Sequence, residues 1–193
     1  MKKYEPQKIN CIIVHGCPGT EESTMDLSRR MYDKHWMPWI RSQLDSMEIP
    51  AEIALMPEPW APVYKNWKKE FEKYPVAEQT ILIGHSCGCA FLTRWLGDTK
   101  RKVMALVLVA PWKIGKHDLY NFTIDPTIKN RIKTILFFTS DTEVADGKKS
   151  LEMYHSVLGG KIITLPNHGH YTMEDMRTDE FPELMEEIKN LLQ

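Results

Sequence analysis

Ile81-Leu82-Ile83-Gly84-His85-Ser86-Cys87-Gly88-Cys89-Ala90 joins a short apolar run to a helix-compatible segment through a G-x-S-x-G pattern. This is how a nucleophile elbow is written: strand, sharp turn, serine at the apex, helix. The turn requires small residues two positions either side of the serine, and Gly84 and Gly88 supply them. Ser86 then stands at a helix N-terminus, where backbone N–H groups can stabilise a developing oxyanion.

Outward from the elbow, short apolar runs alternate with longer amphipathic segments. Strands are predicted at 10–14, 52–56, 80–83, 103–109, 134–138 and 161–165. Helices are predicted at 25–47, 64–73, 87–96, 147–158 and 181–191, with Pro38 kinking or breaking the first. Trp36, Trp39 and Ile40 around that proline read as core packing. The alternation implies an α/β fold with a mainly parallel sheet covered by helices on both faces. The strands show no clean two-residue alternation, which fits burial on both sides.

Ligands of such sheets bind beyond the carboxyl ends of the strands. The residues following those ends are therefore the candidates for chemistry. His15-Gly16-Cys17-Pro18-Gly19 follows the first strand, Ser86 the third, Ser140-Asp141 the fifth, and Pro166-Asn167-His168-Gly169-His170 the sixth. A serine, an acid and a histidine thus come in order from three strand ends. A serine hydroxyl needs a base, histidine titrates near neutral pH, and a carboxylate holds its tautomer. The assignment is Ser86 as nucleophile, His170 as base and Asp141 as orienter. His168 is the second choice of base. Asp146, which also reads as a helix cap, and then Glu143 follow Asp141 as acids. Tyr171 is placed to pack over His170. The oxyanion donors expected are the backbone N–H groups of Cys87 and Cys17, because Pro18 has none. His15 would shape that loop.

The chain has 193 residues, enough for one domain with a full core, and a net charge of -1, which recruits neither nucleic acid nor anionic membrane. No apolar run is long enough to span a bilayer. The head MKKYEPQKINCIIVHG puts Tyr4, Glu5 and Pro6 after two lysines, and reads as the lead into a strand rather than a signal peptide. Cys11, Cys17, Cys87 and Cys89 have no spacing that suggests a disulfide framework or a zinc site, so a reducing cytoplasm is the expected home. A thiol nucleophile or a metal at Cys87 and Cys89 is the lesser reading, and apolar packing the better one.

The elbow, Met56-Pro57-Glu58-Pro59 followed by Trp67, Ala105-Leu106-Val107-Leu108-Val109-Ala110, and Phe122-Thr123-Ile124-Asp125-Pro126 before Ile132-Lys133 resemble the small α/β-hydrolases of the retinoblastoma-binding-protein-nine/YdeN-like serine hydrolase family. The resemblance runs roughly from Ile12 to the C-terminus. It implies a compact α/β-hydrolase fold without the usual first two strands, in strand order 2-1-3-4-5-6. It also implies a serine triad mapping onto Ser86, Asp141 and His170. The expected activity is cleavage of a small carboxylic ester, amide or thioester through an acyl-enzyme, with no cofactor or metal. Residues 112–129 would be a minimal lid, and Trp60, Trp112, Tyr120 and Phe122 could line the pocket. The alternative is a non-catalytic protein of the same fold that holds a protein partner or a small acyl ligand.

Overall fold

The computed structural model describes residues 8–193. The lysines, Tyr4, Glu5 and Pro6 of the head lie outside the described residues. Six strands, β1 (Asn10–Val14), β2 (Ala51–Ala54), β3 (Thr80–His85), β4 (Val103–Val109), β5 (Ile132–Ser140) and β6 (Lys161–Leu165), form one parallel sheet in the order β2-β1-β3-β4-β5-β6. The helices are α1 (Met37–Ser46), α2 (Tyr64–Phe71), α3 (Cys87–Thr99), α4 (Ala145–Leu158), α5 (Met173–Met176) and α6 (Pro182–Leu191).

Consecutive strand residues feed opposite faces. Ile12, Val14, Leu82, Leu106 and Phe137 pack with Trp67 and Phe71 of α2, Phe91 and Trp95 of α3 and Tyr154 of α4. Cys11, Ile13, Ile83, Val107 and Phe138 pack with Ile40 and Leu44 of α1 and Leu184 and Ile188 of α6. The two-sided burial explains why the strands read as apolar runs. Register then brings the strand ends together. Val14 pairs with Gly84, His85 with Val109, Val109 with Phe138 and Ser140 with Leu165, so the loops after β1, β3, β5 and β6 open at one edge of the sheet.

Two expectations change. The helix expected over 25–47 is α-helical only from Met37, with Pro38 in its first turn. Proline has no N–H to give to a preceding turn and its φ suits a helix start, so it opens α1 rather than kinking it. Residues 15–36 form a loop with two short 3-10 turns, Thr20–Thr24 and Leu27–Arg29. Second, β5 starts at Ile132 and ends at Ser140, two residues beyond each expected boundary. β6, at the sheet edge, is mostly exposed or half-buried along its length. Among the described residues no helix is long and apolar enough to cross a membrane.

The segment between β4 and β5 lies on α3 rather than over the strand ends. Arg94 Nη1 donates to the Asp118 carbonyl at 2.7 Å. Asp125 Oδ2 accepts from Lys100 Nζ at 2.8 Å and Arg131 Nη2 at 2.9 Å. The Lys100 ammonium, followed by the Thr127 amide and hydroxyl, holds the Asp125 carboxyl well below the usual range.

Candidate active site

The elbow forms as its glycines require. Ser86 has φ 52° and ψ -120°, a conformation that non-glycine residues adopt only where the surroundings over-determine it. The Ser86 amide donates to Val109 O at 3.0 Å, and Ser86 O accepts from Trp112 N at 3.2 Å. A Cβ on Gly84 would lie 2.9 Å from the Cys89 amide nitrogen, and one on Gly88 would lie 2.5 Å from the Val14 carbonyl oxygen. The strand–helix crossing therefore leaves no room for a side chain at either position.

Ser86 Oγ lies 2.8 Å from His170 Nε2, and His170 Nδ1 lies 2.9 Å from Glu143 Oε2. The structure thus joins Ser86 and His170 but corrects the acid: the carboxylate on the ring is Glu143, not Asp141 or Asp146. Because β5 runs to Ser140, Asp141 stands at the strand's very end and its side chain faces solvent. Its Oδ1 accepts from the Asn167 amide at 2.8 Å, the first cause of a carboxyl pKa below the ordinary value. Asp146 is exposed in the first turn of α4, where a negative charge suits the helix dipole. The Glu143 side chain is 1% exposed, and its other oxygen accepts from the Val144 amide at 2.8 Å.

Glu143 fits because Gly147 lies beneath it. A Cβ at Gly147 would stand 2.5 Å from the Glu143 carboxyl carbon. A glycine in the first turns of a helix costs about 1 kcal/mol relative to alanine, so its presence four residues after one of three candidate acids was a usable signal.

The histidine loop is fastened along its backbone. His168 N donates to Ser140 Oγ at 2.9 Å, Gly169 N to Thr142 Oγ1 at 3.1 Å and His170 N to Asp175 Oδ2 at 2.8 Å. His168 itself turns its Nδ1 to the Pro166 carbonyl and stays off the serine. Tyr171 does not cover His170. It is buried against Phe181 and donates its hydroxyl to the Thr139 carbonyl at 2.6 Å. Buried His85 lies 2.8 Å from the His170 carbonyl through Nε2, and burial first, then the neighbouring His170, keeps its pKa well below the ordinary value. Neutral His85 thus donates from Nε2 and braces the loop. Trp112 sets its ring edge-on to His170, centroids 5.4 Å apart.

The loop after β1 is set by His15. The Met56 amide donates to His15 Nε2 at 2.9 Å, so Nδ1 carries the proton and donates to the Gly16 carbonyl at 2.8 Å. Burial lowers the His15 pKa to about 4, which keeps this tautomer neutral. A trans peptide points its C=O and the next N–H in opposite directions, so the Cys17 N–H faces away from the His15 ring. That amide has no hydrogen-bond acceptor among the described residues. The Cys87 N–H, at the first position of α3, has no partner within the helix either.

The cysteines depart from expectation. Cys17 and Cys87 are joined by a disulfide between residues 70 apart in sequence, with Cα atoms 5.7 Å apart. Cys11 and Cys89 are buried free thiols. Cys89 donates to the Gly84 carbonyl at 3.2 Å, and burial raises its pKa well above the ordinary value. With Cys87 spent in the disulfide and Cys89 packed under the elbow, neither thiol points to nucleophilic or metal chemistry.

A cleft of about 620 Å3 opens at Ser86 and His170. Its walls are the 15–36 loop, through Cys17, Met25, Arg29, Met31 and Tyr32, and the start of α5, through Thr172, Met173 and Glu174. Trp60, Trp112, Tyr120 and Phe122 do not line it. Trp60 stacks beneath Arg30, and Tyr120 and Phe122 pack on the core around α3. The segment expected as a lid is therefore part of the scaffold, and the unpredicted loop is the wall.

A six-stranded parallel sheet in this order, with an elbow serine after its third strand, defines an α/β-hydrolase fold. The serine hydrolase family profile matches residues 28–190, and the chain belongs to that family. Over 80 residues, 39% of this chain, the sequence is 30% identical to the putative hydrolase YdeN of Bacillus subtilis. That stretch is 42% of YdeN, less than half its length. The crystal structure of the B. subtilis ydeN gene product superposes with a TM-score of 0.81 at 19% identity, covering 96% of this chain and 99% of that one. Est1E of Butyrivibrio proteoclasticus with ferulic acid bound gives a TM-score of 0.63 at 15% identity, covering 100% and 91%. The carboxylesterase CesB of B. subtilis gives 0.57 at 13% identity, covering 97% and 85%.

Proposed function

We propose that this serine hydrolase is carboxylesterase-like and cleaves small acyl esters through an acyl-enzyme on Ser86. The observation that carries the reading is the unbroken hydrogen-bonded line from Ser86 Oγ through His170, both lining the cleft, to buried Glu143 behind them. Ser86 attacks the acyl carbonyl while His170 Nε2 takes its proton. Glu143 holds the other ring proton and stabilises the imidazolium. The N–H groups of Cys87 and Cys17 receive the oxyanion. His170 returns the proton to the leaving alkoxide, and water repeats the sequence on the acyl-enzyme. No step calls for a metal or an organic cofactor.

Methionines and Tyr32 give the cleft an apolar wall, whereas Glu21, Glu22 and Glu174 outnumber Arg29. Neutral acyl groups suit it better than substrates carrying a free carboxylate. Esterase chemistry has a precedent of fold in CesB, which is named a carboxylesterase. The reading also takes residues 1–193 as one domain; the Cys17–Cys87 disulfide removes the ground on which a reducing cytoplasm was expected.

Labelling with a fluorophosphonate followed by peptide mass mapping tests it. The adduct is expected on Ser86 and is lost in His170→Ala. A folded protein that takes no label overturns the hydrolase reading in favour of a binding role.

Gly147 offers a finer check. Gly147→Ala drives a methyl group into the Glu143 carboxyl while leaving the three triad residues themselves unsubstituted. Displacing a catalytic group by about 1 Å lowers turnover by up to about 100-fold. The expected result is a fall of that order in kcat on 4-nitrophenyl acetate with the far-ultraviolet circular dichroism unchanged.

A further inference from the structure

The Cys17–Cys87 disulfide links the two residues whose amides are the proposed oxyanion donors. It is not needed to close a deficient core. Both faces of the sheet are covered by fully buried Trp, Phe, Ile and Leu side chains, each contributing roughly 1.5–3 kcal/mol of burial. Its place is specific to the cleft. On the Cys87 side the backbone is already fixed by the elbow and α3, with Cys87 fully buried. On the Cys17 side the hold is lighter: one hydrogen bond, from His15 Nδ1 to Gly16 O, orients the peptide that carries the Cys17 N–H. Cys17 is then followed by Pro18, exposed Gly19 and the largely exposed 3-10 turns of the wall loop.

We infer that the Cys17–Cys87 disulfide is a reversible redox clamp that positions the Cys17 amide for oxyanion stabilisation, so that the oxidised protein is the fast hydrolase and the reduced protein the slow one. The inference rests on the hydrolase reading above. Both cysteines are positioning residues here, since their side chains act through the backbone donors. Part-buried Cys17 lines the cleft, so its sulfur is the one within reach of a thiol from solvent. A dithiol thiolate attacks Cys17 Sγ, breaks the Cys17–Cys87 bond and forms a mixed disulfide. The second thiol of the reductant then closes on its own sulfur and frees Cys17. Two electrons and two protons pass to the cysteines, and the reductant leaves as a cyclic disulfide. A low-molecular-weight disulfide such as oxidised glutathione reverses the exchange. Among the described residues this is the sole disulfide, so the exchange has one target. Disulfides in reducing compartments are usually transient and serve catalysis or redox sensing.

The test compares full-length protein oxidised with glutathione disulfide, protein reduced with dithiothreitol, and protein reduced and then reoxidised. Each is desalted under nitrogen before assay with 4-nitrophenyl acetate. Loss of one oxyanion donor costs about 100- to 1,000-fold in kcat. A loosened donor is expected to cost at least about tenfold, with a smaller change in KM and recovery on reoxidation. Cys17→Ala and Cys87→Ala retain their backbone N–H groups. Each is expected to match the reduced protein in kcat and to ignore the dithiol, with fluorescence showing a folded chain. Equal kcat in oxidised and reduced protein, or a fully active Cys17→Ala, overturns the clamp while leaving the hydrolase standing. Absence of the Cys17–Cys87 cross-link from peptide maps of the oxidised protein overturns it too. Turnover absent from every form overturns the hydrolase reading and the clamp together.

Discussion

Glu143→Gln is expected to lower kcat on a small ester by about 10,000-fold, whereas Asp141→Asn keeps most of the turnover. The first magnitude is that of removing the orienting charge from a serine triad while leaving its geometry intact. Gln keeps the volume of the buried side chain and an oxygen for the Val144 amide, so the loop need not move. What changes is the group facing His170 Nδ1. An amide nitrogen there donates to the ring and stabilises the tautomer protonated at Nε2, which cannot accept the Ser86 proton. An amide oxygen there leaves the imidazolium without its counter-charge. Asp141→Asn retains an oxygen for the Asn167 amide and touches neither His170 nor Ser86. Steady-state kinetics on both variants decides between the acids. If Asp141→Asn carried the large loss and Glu143→Gln the small one, the triad described above would be wrong in its third member.

Gly88→Ala is the second large effect, and it falls on stability. Its methyl group would sit 2.5 Å from the Val14 carbonyl oxygen and 2.6 Å from that of His15. These are backbone atoms of β1 and of the loop that carries the Cys17 donor, so no side-chain rotation relieves the contact. Overpacking of this kind costs about 3 kcal/mol. In a chain of this size each kcal/mol lowers Tm by roughly 2–4 °C. A fall of roughly 6–12 °C in a thermal melt is expected, with reduced turnover in whatever remains folded at 25 °C, because β1 must shift away from α3. A melt within 2 °C of the parent would show that β1 and α3 are not packed this closely.

What the sequence made legible follows the range over which each signal acts. The parallel sheet could be read because each strand is a continuous apolar run ended by turn-forming residues, whereas its order followed from the family resemblance. Ser86 and His170 were legible because both follow such an end and because the chemistry restricts the residue types. The acid was misassigned by two residues for a local reason. Asp141 is the acid that immediately follows β5, as expected, but its side chain faces solvent, and the buried carboxylate that meets His170 comes two residues later in the turn before α4. The disulfide left no trace in cysteine spacing, since it spans 70 residues and depends on where β1 and β3 end relative to one another. The cleft wall was hidden for another reason. Residues 25–36 have helix-compatible composition, but Pro38 shifts the start of α1 to Met37 and frees the preceding segment to line the cleft.

Among the described residues β6 pairs with β5 alone and is exposed or half-buried along its length, yet the loop that follows it holds His170. Ser86 springs from the centre of the sheet, where β3 and α3 are buried almost throughout. The reacting pair therefore bridges two parts of the protein with different protection against solvent. Opening free energies within one fold range from nearly zero at frayed edges up to the global value in central strands. Amide exchange is therefore expected to be faster along β6 than along β3. On heating, turnover is expected to fall before the central strands open, and amide exchange along 161–170 followed beside activity checks this.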